Sequence, residues 1–227
     1  MMPFNPCRFH KNWRWNYNTG GGNLMDWIGH HCDIAHWGLS NPIFGCGPND
    51  QIGPLEVSAT AEFPFKNAVW NTATRFRIHC KYPNAVKMVI AGGYKNIQQG
   101  TKWIGENGWI WVNRAAHGDL GFQGSVVEWK DTLRAGKKAV EAVEEKMKFK
   151  LMASSNHWAQ FIDCVKSRQK TVAPIEVAHR SQTPGHLGYI ASVLGRKLKW
   201  DAEQQQIIFD EEATRLMSKK FRPPWHL

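Results

Sequence analysis

The sequence has 227 residues and a formal net charge of +10, and 42% of its residues are hydrophobic. This composition suits one globular unit with a real core, and no apolar run approaches the roughly 18 residues that a membrane-spanning helix needs. The first residues lack the charged and apolar regions of a signal peptide, so we expect a cytoplasmic protein. Its five scattered cysteines predict reduced thiols.

The first predicted element is a helical run from Gly20 to Leu39 that opens with three glycines. Steps of four and seven residues set Asp26, His30 and Asp33 along one side of this helix, because an α-helix turns once every 3.6 residues. The other positions are largely apolar, so we expect the polar stripe to face a cleft or a paired polar site. A carboxylate beside an imidazole fixes the tautomer and makes a base. The stripe of Asp26, His30 and Asp33 is therefore consistent with a base and its orienting acid.

Tryptophan is unusually abundant, with 12 residues, and Trp13 and Trp15 flank Arg14 shortly before the glycines. An aromatic face beside a hydrogen-bonding side chain suits a sugar ring. We predict that Trp13, Arg14 and Trp15 border the same cleft and bind substrate. A Trp-Arg-Trp stack that merely holds the entering chain is the open alternative.

After a Pro- and Gly-rich loop at 41–54, alternation of β-branched and aromatic residues predicts strands at 57–63, 74–80 and 86–90. No helix intervenes and the connections are short, so the pairing should be antiparallel. A further hairpin is predicted from 101–104 and 109–112. The runs at 115–124 and 137–150 follow, the first Gly-rich and irregular, the second a surface helix or a mobile excursion.

Two helices are predicted near the end of the chain. Ser154 or Ser155 can cap the first, which should run to about Ser167. Pro174 can open the second, which should bend at Pro184 and end at Gly195. Residues 197–200 predict an edge strand. Together these elements indicate an α+β fold over residues 1–227: a large open, mainly antiparallel sheet, with helices packed on one face. The other face is available for a sheet-to-sheet homodimer.

Several common sites are absent from the sequence. No dinucleotide fingerprint follows a strand, and no P-loop, nucleophilic-serine elbow or convincing metal-ligand spacing occurs. Lys and Arg are spread along the chain, so we expect no nucleic-acid partner, although anionic ligands stay open.

Two groups of motifs carry a family resemblance. The first is the run Arg14-Trp15-Asn16-Tyr17-Asn18-Thr19-Gly20-Gly21-Gly22 followed by Asp26-x-x-x-His30-x-x-Asp33. The second group lies at 161–168, 176–181, 194–201 and 222–225. In this order they resemble the carboxy-terminal domain of the glucose-fructose oxidoreductase, inositol dehydrogenase and MocA (Gfo/Idh/MocA) family.

The resemblance implies a two-domain oxidoreductase acting on a sugar or polyol. An amino-terminal Rossmann domain of the family binds NAD or NADP and supplies a lysine, and the carboxy-terminal domain holds substrate and often dimerises. By this analogy His30 would take the proton from a sugar hydroxyl, Asp26 would orient the substrate or the imidazole, and Asp33 would contact substrate or support the site.

The nucleotide fingerprint and the lysine motif of that family are not in this sequence, so we expect the chain alone to bind no cofactor. Three interpretations remain open. The chain is a substrate and dimerisation domain that acts with a Rossmann partner; it is a Rossmann-less carbohydrate-binding protein or a redox-free lyase or hydratase using Asp26 and His30; or it is a non-catalytic scaffold. The residues alone leave open whether it is an enzyme.

Overall fold

The fold is that of a computed structural model, which describes residues 4–39, 52–97, 99–105, 108–113, 125–129, 132–135, 153–219 and 223–224. The chain divides into two compact units. The first comprises Met1–Ile97 and His179–Leu227, and the second comprises Gln98–Ala178. The segments predicted at 115–124 and 137–150, and most of the loop predicted at 41–54, lie outside the described residues.

The described part of the chain contains helices, short 3-10 turns and strands. In chain order they are the 3-10 turns Pro6–Arg8 and His10–Trp15, α1 (Gly22–Leu39), β1 (Glu56–Glu62), β2 (Arg75–Lys81), the 3-10 turn Pro83–Ala85, β3 (Lys87–Gly92), β4 (Thr101–Gly105), β5 (Gly108–Val112), β6 (Ser125–Trp129), β7 (Thr132–Ala135), α2 (His157–Ser167), α3 (Ile175–Leu194), β8 (Leu198–Asp201), β9 (Gln206–Ile207) and α4 (Glu211–Arg215).

The first unit contains a five-stranded antiparallel sheet in the order β3-β2-β1-β8-β9. The three predicted strands in its first half are confirmed within one or two residues at each end. The strand predicted at 197–200 is confirmed as β8, but it is not an edge strand, because it pairs with β1 on one side and with β9 on the other. The two-residue strand β9 takes the edge instead.

The core of the first unit joins one face of this sheet to α1 and α3. Strand alternation sends Val57, Phe76, Ile78 and Cys80 to the same side, and all four are buried. They pack in one cluster with apolar residues of the two helices, which are Leu24, Ile28, Leu187, Ile190 and Ala191. A sheet with one covered face is the layer arrangement that the alternation predicts.

The second unit contains a four-stranded antiparallel sheet in the order β4-β5-β6-β7. Its first two strands confirm the predicted hairpin. Helix α2 of this unit ends as predicted at Ser167, with Arg168 in the left-handed conformation. Its N-cap is Asn156, whose Oδ1 accepts from the Ala159 N–H at 3.0 Å, so the predicted caps Ser154 and Ser155 lie just outside the helix.

Helix α3 follows the predicted boundaries. It begins directly after Pro174, whose carbonyl accepts from the Ala178 N–H, and Gly195 follows its last residue with a φ of 65°. Pro184 lies inside the helix and is fully buried. The helix continues through it.

The α+β class and the open, antiparallel sheet are confirmed, with the described strands divided between two sheets. Among the described residues, no helix has both the length and the apolar character that crossing a bilayer requires.

Candidate functional site

The glycine triplet allows two segments to approach the start of α1 closely. A Cβ on Gly20 would lie 2.7 Å from the Arg14 Cα, and a Cβ on Gly22 would lie 2.4 Å from the Thr72 hydroxyl oxygen. Gly22 also has a φ of 65°, a conformation that residues with a Cβ rarely adopt. The triplet therefore brings the second 3-10 turn against the helix and places Arg14 beside the first turns of α1.

Backbone hydrogen bonds fix the position of that 3-10 turn. The N–H groups of Asn71 and Thr72 both donate to the Trp15 carbonyl, at 3.0 and 3.3 Å. Asn16 is buried, and its amide donates to the Val69 carbonyl at 3.0 Å. This segment is thus anchored to the loop between β1 and β2, so the side chains before it are held in place rather than left on a mobile end.

The structure brings together Arg14 and Asp26 of the predicted site. The Arg14 Nε and an Asp26 carboxylate oxygen are 3.6 Å apart, which is an ion-pair distance and longer than a hydrogen bond. Both side chains are partly exposed, at 32% and 41%. The guanidinium also lies 5.4 Å from the Trp13 ring centroid. Trp13, Arg14 and Asp26 therefore form one continuous polar and aromatic surface at the start of α1.

His30 lies one turn after Asp26 and is exposed. Its ring meets the ring of Trp27 edge-on, with centroids 5.7 Å apart. The expectation that the polar stripe faces a cleft is replaced by a more open arrangement, because Asp26, Trp27 and His30 are all exposed in this chain. A reactant could reach both the carboxylate and the imidazole from outside this unit.

Asp33, the third residue of the stripe, points to a different partner. Its Oδ1 accepts from the Ser181 hydroxyl of α3 at 2.9 Å. Burial raises the pKa of Asp33, and the hydrogen bond from Ser181 opposes that rise. The structure thus gives Asp33 a contact between two helices, while Asp26 and His30 stay exposed.

Helix α1 also carries a buried imidazole. His36 Nε2 and the Tyr82 hydroxyl are 2.7 Å apart, and both side chains are buried. Burial lowers the pKa of His36 to about 4, so the ring is neutral at physiological pH. Among the described residues no group of three His, Cys, Asp or Glu side chains is arranged to hold a metal ion. We therefore assign the His36–Tyr82 pair to the packing of α1 on the sheet.

Comparison with known proteins agrees with the motifs. Residues 150–227 match the model of the Gfo/Idh/MocA oxidoreductase family's C-terminal alpha/beta domain. The matched segment runs from just before α2 to the end of the chain. No curated protein matches the chain by sequence.

Solved structures extend the likeness in fold to the earlier residues. The chain is similar to an aldose-aldose oxidoreductase from Caulobacter crescentus complexed with glycerol (TM-score 0.54, 13% identity, covering 83% of this chain and 51% of that one). It is also similar to an NAD-binding protein from Listeria innocua (0.53, 16%, 84% and 51%). An oxidoreductase from Agrobacterium radiobacter in complex with NAD+, L-tartaric acid and magnesium gives similar values (0.52, 12%, 83% and 52%). The chain spans about half the length of each of these solved structures.

One aromatic contact in the first unit was not predicted from the sequence. Tyr17 stacks on Tyr189 of α3, with ring centroids 3.7 Å apart. The two residues lie at opposite ends of the chain, and no local pattern joins them. The one local signal was the position of Tyr17 in the motif that precedes the glycine triplet.

Proposed function

We propose that this chain is the substrate-binding half of a sugar or polyol oxidoreductase. The observation that carries the proposal is the exposed side of α1, where Asp26 and His30 lie one turn apart and Arg14 is brought to Asp26. The match of residues 150–227 to an oxidoreductase family supports the same class of reaction.

Each residue has a chemical role in this proposal. His30 accepts the proton of a substrate hydroxyl, since a neutral imidazole is a base near physiological pH. Asp26 and Arg14 orient the hydroxyls, and the faces of Trp13 and Trp15 stack against the C–H side of the sugar. Asp33 acts through structure, because its hydrogen bond to Ser181 holds α1 against α3.

The cofactor of the family does not fit the described residues. All described strand pairs are antiparallel, whereas a dinucleotide-binding fold needs parallel strands joined by a helix. NAD or NADP would supply the hydride acceptor when held by a nucleotide-binding domain. The residues of this chain bind and orient the substrate and accept its proton.

Ligand-observed NMR with a panel of sugars and polyols tests the site. We expect at least one member of the panel to bind, and His30→Ala and Asp26→Asn to weaken that binding about tenfold. His79→Ala, which removes an exposed histidine of β2, is the matched control and should change nothing. Unchanged binding in both α1 variants would refute the assignment of substrate binding to Asp26 and His30. Tight binding of NAD+ by the chain alone would refute the proposal that another domain binds the cofactor.

We also propose that two copies associate through the four-stranded sheet. On β4, Ile104 is 79% exposed, and it pairs with the half-buried Trp109 of β5. Exposed apolar surface of this kind favours a protein interface. Sedimentation velocity should show a dimer that Ile104→Lys shifts to monomer, whereas Lys87→Glu on β3 leaves it intact. A monomeric wild-type chain would contradict this proposal without affecting the one on Asp26 and His30.

A further inference from the structure

Apart from the exposed surface of α1, the first unit has an open groove with a volume of about 340 Å³. None of the predicted site residues lines it. Its aromatic lining is formed by Tyr17, Phe63, Phe65 and Tyr189, contributed by the segment before α1, the residues after β1, and α3. Phe63 meets Tyr189 edge-on at a centroid distance of 6.2 Å, and Tyr189 stacks on Tyr17 at 3.7 Å with 17° between the rings. We call this surface the aromatic groove.

The aromatic groove is held in shape by hydrogen bonds. The Tyr17 N–H donates to Asn71 Oδ1 at 2.7 Å, and Asn71 itself lines the groove. The Lys219 ammonium donates to the Tyr17 carbonyl and lies 5.1 Å from the Tyr17 ring centroid. Tyr189 belongs to the regular helix α3. A ligand would therefore meet a preformed platform and lose little free energy in ordering it.

The charge of the aromatic groove is positive. Lys66 lines it, Lys219 lies against the ring of Tyr17, and no Asp or Glu of the described residues lines it. The carboxylate closest along the chain, Glu62, is paired with Arg75 at 2.9 Å. Lys66 has no ion pair within the described part of the chain. An anion entering the groove would find cations that are not already neutralised.

The apolar part of the lining is equally accessible. Phe65 is 79% exposed and Val193 is 48% exposed. A flat apolar group can cover these side chains and the Tyr189 ring, and gains free energy from the area it removes from water. The groove thus offers stacking surface and positive charge side by side.

We propose that the aromatic groove binds a small organic carboxylate with a flat apolar face, its ring against Phe65 and Tyr189 and its carboxylate near Lys66. Two classes of compound have this chemistry, sugar acids and aromatic acids. The proposal rests on the lining residues of the groove alone and does not depend on the function of Asp26 and His30.

Calorimetric titration of the chain with two acids and their neutral counterparts tests the ligand class. The pairs are D-glucuronate with D-glucose, and 4-hydroxybenzoate with 4-hydroxybenzamide. We expect at least one acid to bind with a millimolar Kd, about threefold or more tighter than its neutral counterpart. Binding of glucuronate alone identifies sugar acids, and binding of 4-hydroxybenzoate alone identifies aromatic acids. The proposal is overturned when neither acid binds at about 20 mM, or when the neutral compounds bind as well as the acids.

Two variants with matched controls locate the binding. Phe65→Ser should weaken both an acid and its neutral counterpart about fivefold, because it removes stacking surface. Phe4→Ser is its control, since Phe4 is also 79% exposed but does not line the groove. Lys66→Gln should weaken the acid about threefold and leave the neutral compound unchanged, with Lys87→Gln as the control. Equal affinities in a groove variant and its control would place the binding elsewhere and overturn the proposal.

His30→Ala separates this site from the proposed catalytic one. Acid binding in the aromatic groove should be unchanged by it, whereas the sugar or polyol binding assigned to α1 should be weakened. Loss of acid binding in His30→Ala would mean that the acids bind on α1 and would overturn the groove proposal, while the α1 proposal would stand.

Discussion

Helices α3 and α2 have similar apolar spacing but opposite surroundings. In α3, Leu187, Ile190 and Ala191 are buried against the five-stranded sheet and α1. In α2, Trp158, Phe161, Ile162 and Val165 follow the spacing of one helix face, yet all four are at least 47% exposed and no residue of the helix is buried. Helical periodicity therefore predicts that a face is apolar, and the tertiary fold decides whether anything covers it.

The largest expected difference between the two helices is the loss of stability when one isoleucine of each helix is replaced by alanine. Ile190→Ala removes a side chain that is 3% exposed and should lower the free energy of unfolding by about 3 kcal/mol, through lost burial and an unfilled cavity. Ile162→Ala removes one that is 50% exposed and should lower it by less than about 1 kcal/mol. Urea denaturation measures both. Equal losses would mean that the α2 face is covered in solution.

A second comparison separates two glycines within α3. A Cβ on Gly188 would lie 2.3 Å from the Cδ1 of Ile78, which is 1% exposed and has nowhere to move. A Cβ on Gly185 would meet Met25 and Ile28 side-chain atoms at 3.2 Å, so both neighbours would need to move by only a few tenths of an ångström.

Gly188→Ala should therefore destabilise the protein by about 1 to 2 kcal/mol, since overpacking exceeds the roughly 1 kcal/mol gained in helix propensity. Gly185→Ala should be neutral or slightly stabilising. Thermal unfolding of the two variants decides the matter, and the reverse order of their Tm values would show that α3 does not approach β2 as closely as described.

The polar contact between α1 and α3 should depend on pH. Burial raises the pKa of Asp33, so the folded chain retains a proton at pH values where the unfolded chain has lost it. The stability that this group contributes is complete below the unfolded pKa near 4 and is lost as the pH rises through the raised folded value.

Asp33→Asn keeps an acceptor for the Ser181 hydroxyl and removes the titration. The free energy of unfolding of the Asn variant, measured by urea denaturation relative to wild type, should be higher at pH 7 than at pH 3. Asp201→Asn, at the last residue of β8, serves for comparison because Asp201 also accepts hydrogen bonds. An advantage of Asp33→Asn that is greater at pH 3 would contradict the direction of the pKa change.

The sequence predicted the positions of helices and strands better than it predicted which distant residues contact each other. Alternation located β1, β2 and β3, because each strand buries one face, and the glycine triplet with Asp26 and His30 located the exposed surface of α1. The Asp33–Ser181 contact joins residues 148 positions apart, and the Tyr17–Tyr189 stack joins the two ends of the chain. Both contacts form only when α3 packs against α1 and the segment before it. The residue spacing within one segment therefore cannot predict them. The sequence likewise could not show that Asn156, rather than Ser154 or Ser155, caps α2, because this depends on the residue at which the helix begins.

The cap of α2 should have the smallest effect on global stability and the most local one. Without buried residues, α2 depends on local interactions, among which the Asn156 side chain satisfies the Ala159 N–H at 3.0 Å. Asn156→Ala should cost about 1 kcal/mol of local helix stability and leave the global unfolding transition almost unchanged, because the core of the first unit contributes that transition.

Amide hydrogen exchange should then accelerate about fivefold in α2 and stay constant in α3. Asn84→Ala, at an exposed turn before β3, is a control that should leave α2 exchange unaltered. If Asn156→Ala instead lowered the global transition as Ile190→Ala does, α2 would be part of the cooperative core, and the contrast between the two helices would fail.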